Sequence, residues 1–176
     1  PSTPGTGQRL VVPLSDPSRP GTLKVRIIQG SVTVRGGDGR DVVINSSGSR
    51  RERNRPDGRD RGRNDGLRRL EQPFGVEVEE ENNVVTVSTS PQDDGQLVIE
   101  VPRRMNLQVS AVNGGGVAVE GVEGDIEANN VNGSVTLNDV AGSVVAHSVN
   151  GEVRATLLRV GTSPMAFTSL NGGVDV

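Results

Sequence analysis

Val131-Asn132-Gly133-Ser134-Val135-Thr136-Leu137-Asn138-Asp139-Val140-Ala141-Gly142-Ser143-Val144-Val145-Ala146-His147-Ser148-Val149-Asn150-Gly151 decides the fold, because it writes Val-x-Gly three times at intervals of nine residues. Toward the N-terminus the same triplet appears at Val122-Glu123-Gly124 and, ten residues earlier, at Val112-Asn113-Gly114. A short fixed period means stacked units, none of which can bury its own core. After each glycine comes a polar or small residue and then an alternating run: Gly124 leads to Ile126 and Ala128, Gly133 to Val135 and Leu137, Gly151 to Val153 and Ala155. Apolar residues at i and i+2 mark a strand, so each unit holds one short strand. The pairs Asn129-Asn130, Asn138-Asp139 and His147-Ser148 read as corners, after which Val131, Val140 and Val149 turn inward again.

A second period lies over the first. The Asn-Gly form alternates with the other form, and it recurs at Asn113, Asn132, Asn150 and Asn171, at intervals of 19, 18 and 21 residues. This predicts an all-β parallel β-solenoid (β-helix-like), with about 18–21 residues and two short strands per coil. Asn113, Asn132, Asn150 and Asn171 then stack along one edge, their side-chain amides bonding up and down the stack. Gly114, Gly124, Gly133, Gly142, Gly151 and Gly172 supply positive-φ backbone at the corners. An antiparallel meander of Asn-Gly hairpins is the competing reading. It fits less well, since a meander does not need the same residue at every second turn. The long last interval agrees with stacking: 165–172 matches 144–151 position for position, and 157–164 absorbs three extra residues as a bulged corner.

The signal fades N-terminally but persists. Gly30-Ser31-Val32-Thr33-Val34 has the shape of Gly133-Ser134-Val135-Thr136-Leu137, and further strands are expected at 10–14, 23–28, 41–44, 76–78, 84–87, 97–101 and 107–109. No stretch has helical periodicity. One domain is expected over 10–176, after a linker at 1–9. The segment 48–70 reads as a disordered insert. It carries nine arginines (Arg50, Arg51, Arg53, Arg55, Arg59, Arg61, Arg63, Arg68 and Arg69) against Glu52, Asp57, Asp60 and Asp65. Leu67 and Leu70 alone cannot bury it. The formal net charge of −3 thus hides a basic segment on an acidic body.

With no Cys, disulfide and thiol chemistry are excluded, and no apolar run reaches membrane-spanning length. Phe74 and Phe167 are the only aromatic residues. A thin Val/Ile/Leu/Ala stack needs no more, whereas recognition of sugar rings would want stacking platforms. The sequence starts at Pro1, so any signal or anchor would lie upstream of it.

The stretch from Leu97-Val98-Ile99-Glu100-Val101-Pro102 through Met105-Asn106-Leu107 and the Val-Asn-Gly units to Leu170-Asn171-Gly172 resembles a bacterial β-strand-repeat family of unknown function that carries the label "putative adhesin". The match covers 97–176, and more loosely 23–44 and 76–101. The resemblance implies a β-solenoid in an extracytoplasmic (secreted, periplasmic or cell-surface) setting; some relatives accompany envelope-stress signalling. It brings no catalytic motif. The Arg-rich insert departs from the family pattern.

The chemistry the sequence offers is sparse. Calcium-binding nonapeptide rolls need Asp within each repeat. Here the residues two after each glycine are Ile126, Val135, Val144 and Val153, so no metal site is expected. His147, the only histidine, aligns with Asn138 and Thr156 in neighbouring repeats, which marks a solvent-facing corner and not a base with a nucleophile. Among outward residues Glu127, Val145 and Ala166 should share one face and Ala118, Thr136 and Arg154 the other. No two carboxylates stack, and no acid/base pair is visible. The acids of 77–81 and Asp93-Asp94 read as solvating loop or strand-end residues. The expectation is therefore a non-enzymatic scaffold or adhesion module without cofactor. Its partners would be other proteins or its own copies: Val174-Asp175-Val176 stops in mid-coil, so either the natural protein is longer or copies stack end to end into filaments. The alternative is an envelope-stress regulatory module that holds anionic lipid or envelope polymer through the Arg-rich segment. Interleaved acids and missing aromatics make nucleic acid the poorer partner.

Overall fold

A computed structural model describes residues 8–48, 76–89, 95–159 and 162–176. Among them there is no helix. The strands are β1 (Gln8–Pro13), β2 (Gly21–Gly37), β3 (Asp41–Gly48), β4 (Val76–Glu81), β5 (Val84–Thr89), β6 (Gly95–Pro102), β7 (Met105–Asn113), β8 (Val117–Glu120), β9 (Ile126–Asn132), β10 (Val135–Val140), β11 (Val144–Asn150), β12 (Val153–Leu157), β13 (Met165–Ser169) and β14 (Val174–Asp175). They form one fourteen-stranded sheet that folds back on itself through β2.

From β7 onward every strand pairs in parallel with the strand two places along the chain. One row runs β7-β9-β11-β13 and the other β8-β10-β12-β14. Leu107 lies opposite Ile126, Ile126 opposite Val144, and Val144 opposite Met165. Alternation follows the strand period: in β9, Ile126, Ala128 and Asn130 face in while Glu127 and Val131 face out. The inward residues of both rows make one core, with Leu23, Ile27, Ile99, Met105, Leu107, Ile126 and Leu137 its largest fully buried side chains. The layer is thin, so Val, Ile, Leu and Ala fill it. Phe167 packs on it only partly buried.

The N-terminal half differs from a simple coil-by-coil stack. The expected strands at 23–28 and 30–34 are a single strand, β2. Its first half pairs in parallel with β5 and β7, its second half with β6 and β8. The first long strand of the chain therefore sits between segments made 50 to 100 residues later, a placement that no local pattern encodes. Pairing at this end turns antiparallel: β4 against β5, β3 against β6, and β1 against β3, with β1 and β4 as the edge strands. Asn82 and Asn83 both take positive φ (52° and 65°) between β4 and β5, the backbone of a tight hairpin turn. Of the acids expected in a loop or at a strand end, Glu77, Glu79, Glu80 and Glu81 all lie in β4, with Glu81 at its end. β1 begins at Gln8, two residues before the expected start, and residues 1–7 lie outside the described residues.

The corners also fall elsewhere. Asn129-Asn130 and His147-Ser148 lie inside β9 and β11, and these strands continue through Val131-Asn132 and Val149-Asn150. Since the alternation is unbroken, Val131 points outward at 39% exposure and Val149 is half-buried. Only the valines of the second corner type, Val122 and Val140, are fully buried.

Candidate functional site

The Asn-Gly edge is the most ordered polar feature. Asn132 Nδ2 donates to Asn113 Oδ1 (2.7 Å), Asn150 Nδ2 to Asn132 Oδ1 (2.8 Å) and Asn171 Nδ2 to Asn150 Oδ1 (2.8 Å). The amides of Asn132 and Asn150 thus each bond to the next asparagine on both sides, and those of Asn113 and Asn171 on one side. In-register parallel pairing of Asn113, Asn132 and Asn150 holds the backbones that carry them. The interior strengthens the same corner. Asn130, almost wholly buried, donates through Nδ2 to the carbonyls of Gly115 (3.4 Å) and Ser134 (3.2 Å). Ser148 Oγ donates to Gly133 O (2.9 Å) and Ser169 Oγ to Gly151 O (2.7 Å). These inward polar residues, of which Asn130 and Ser148 read from sequence as corners, bond to corner carbonyls across the stack; Ser134 O also accepts from the Val117 N–H.

Glycine at these corners answers to spacing as much as to conformation. Positive φ is present at Gly114, Gly124, Gly133 and Gly142, but not at Gly151 or Gly172. What excludes a side chain at Gly151 and Gly172 is the backbone of the preceding Asn-Gly corner. A Cβ would stand 2.2 Å from Gly133 O at the first and 2.1 Å from Gly151 O at the second.

Outward rows run across the stack. Gln108, Glu127, Val145 and Ala166 align on one side, and Ala118, Thr136 and Arg154 on the other. His147 sits in mid-strand, not at a corner, with Asn129 and Thr168 beside it. No group of three or more His, Asp or Glu suited to a metal ion occurs among the described residues. A shallow open hollow of about 350 Å³ lies beside the β4–β5 hairpin, lined by Glu79, Glu81, Asn82, Val84 and Thr86. The nine arginines from Arg50 to Arg69 and the acids Asp93 and Asp94 lie outside the described residues.

A polar clasp at the antiparallel end escaped the sequence reading. Asn83 Oδ1 accepts from the Asp16 amide (2.6 Å), and its Nδ2 donates to Asp16 O (2.6 Å). Glu80 Oε1 accepts from the Ser15 amide (3.1 Å), the Ser15 hydroxyl and the Asn83 amide (3.2 Å). Hydrogen bonding from Ser15 holds the Glu80 carboxyl below its ordinary range, and bonding from Ser18 does the same for Asp16. The only sequence signal for the clasp was Asn82-Asn83 between two alternating runs.

The two ends of the stack are unlike. β1, β3 and β4 turn the chain antiparallel at one end. At the other, nothing among the described residues pairs with the outer edges of β13 and β14. There Leu170 is 70% exposed, Val174 is exposed, and Met165 and Phe167 are only half-buried.

No family model matches this chain, and no curated protein matches it. A solved structure of a putative cell adhesion protein from Clostridium sporogenes ATCC 15579 is similar over 97% of this chain and 100% of its own, at 8% identity and a TM-score of 0.37. So loose a likeness carries no argument about fold or function.

Proposed function

We propose that the chain is a two-sided parallel β-solenoid of about 18–21 residues per coil. It acts as a non-enzymatic binding scaffold of the adhesion type outside the cytoplasm. The alignment of Asn-Gly intervals with strand register supports the coil reading. Two broad outward faces with mixed small, polar and charged rows suit contact with protein surfaces, and His147 beside Asn129 and Thr168 offers no nucleophile–base–acid arrangement. The extracytoplasmic setting rests on the resemblance of residues alone; fractionation of cells that express the complete gene product tests it.

One observation carries the binding role: within this 176-residue stretch the β13/β14 edge is parallel and partly apolar, whereas the unpaired edges of β1 and β4 at the other end are antiparallel and polar. Because the two ends differ in strand direction and polarity, we read the 176-residue stretch as a pair of copies that meet through the β13/β14 end about a two-fold axis, not as a filament. Analytical sedimentation of the 176-residue chain over a wide concentration range tests it. A monomer–dimer equilibrium is expected, abolished by Leu170→Asp with an unchanged circular dichroism spectrum. A strict monomer at high concentration overturns the pairing, and open-ended polymers overturn its single-ended form.

A further inference from the structure

We infer that Asn171-Gly172 is a site of spontaneous deamidation, and that the amide ladder sets the rate at all four Asn-Gly pairs of the chain. Asn-Gly is the dipeptide best suited to this chemistry, because glycine has no Cβ to hinder attack by its own nitrogen. This sequence places every one of its Asn-Gly pairs in the ladder. In the reaction the deprotonated backbone nitrogen of the glycine attacks the Asn Cγ. A ring C–N bond forms, the amide C–N bond breaks, and ammonia leaves. Water then opens the cyclic imide at either carbonyl, giving Asp or isoAsp.

The four sites meet different constraints. At Asn132 both partners are tied: Nδ2 donates to Asn113, Oδ1 accepts from Asn150, and the Gly133 N–H donates to Asn150 O (3.1 Å). Asn150 is bonded on both sides through its side chain, and Gly151 is half-buried. Asn113 has one ladder bond but its backbone is paired on both sides, to Gln29 and Asn132. Asn171 has one ladder bond and one backbone neighbour, and both it and Gly172 are exposed. Local sequence does not separate the sites, since the preceding residue is Val112, Val131, Val149 or Leu170.

The product has a defined consequence. A carboxylate replaces the donor that faces Asn150 Oδ1, so two acceptors oppose each other. IsoAsp adds a backbone methylene just before β14, which moves Val174 and Asp175 out of register with Val153 and Arg154. If the copies meet through this end as proposed above, ageing at Asn171 weakens that contact. The deamidation itself does not depend on it.

The test is peptide mapping by mass spectrometry of the 176-residue chain held in mildly alkaline buffer. Conversion at Asn171 should exceed that at Asn132 and Asn150 by about fivefold, the factor one hydrogen bond of ordinary net worth supplies, with Asn113 between. Asn171→Ser makes Asn150 the end of the ladder and should raise conversion there several-fold. In denaturant the four rates should converge. Equal rates in the folded chain, no conversion at Asn171, an unchanged Asn150 rate in Asn171→Ser, or differences that survive in denaturant would each overturn the inference. Sedimentation before and after ageing reads the pairing separately.

Discussion

The two ends of this stack are built from similar residues and solve the same problem differently. At the β4–β5 end the chain reverses, and Asn83 and Glu80 clasp the Ser15-Asp16 loop. At the β13–β14 end the parallel register simply continues to an unpaired edge, and the core side chains thin out from the fully buried Leu137 to the half-buried Phe167. A repeat gives every strand the same kind of neighbours except the last in each direction. What happens there depends on residues outside the repeat.

Truncation should expose that gradient most clearly. Leu137→Ala in the middle of the stack should lower unfolding free energy by about 3–4 kcal/mol, the range for a buried leucine whose surroundings cannot collapse. Phe167→Ala, half in solvent, should cost less than half as much. Equal losses in chemical denaturation would mean that the last coil is packed as tightly as the middle.

Glycine substitution probes the backbone. Gly151→Ala forces a methyl against Gly133 O and should cost about 2 kcal/mol, whereas Gly173→Ala, with nothing within 4 Å of its Cβ, should be near neutral. The same pair tests spacing as the reason for glycine, because Gly151 has no positive φ. The ladder gives a smaller contrast. Asn132→Ala removes two exposed amide bonds and should cost about 1 kcal/mol, and Asn171→Ala, which removes one, about half that.

The smallest effect concerns the clasp. Glu80 and Asp16 titrate below their ordinary values of 4.5 and 3.8, so the folded state binds fewer protons there than the unfolded state. Their contribution is complete above those values and is lost as pH falls through the lowered folded ones. Hydrogen exchange at the Asp16 amide should accelerate relative to the Asn132 amide below about pH 4. An unchanged ratio would detach the clasp from these carboxyls.

The parallel half of the chain was legible because its period is local. Nine-residue spacing, alternating valines and Asn-Gly intervals of 19, 18 and 21 residues are the register offsets of β7, β9, β11 and β13. Direction of side chains was legible only in part. Val131 and Val140 occupy the same repeat position, yet Val131 faces water and Val140 the core. The strand carrying Val131 keeps its alternation up to Asn132, while Asp139, at φ 52°, breaks the alternation before Val140. The clasp was not legible, since Asp16 and Asn83 are far apart in sequence and belong to no repeat.

By itself the sequence determined that the repeat region is built of strands, that the strands recur at a fixed spacing, and which asparagines share an edge, because those properties follow from spacings within a few dozen residues. Only the tertiary structure decided that β2 lies between β5/β6 and β7/β8, and that one end turns antiparallel while the other stays parallel. Backbone hydrogen bonding is blind to residue identity. Any strand with the right alternation can occupy any rung, and the choice falls to how the long connections close and which edges remain to be paired.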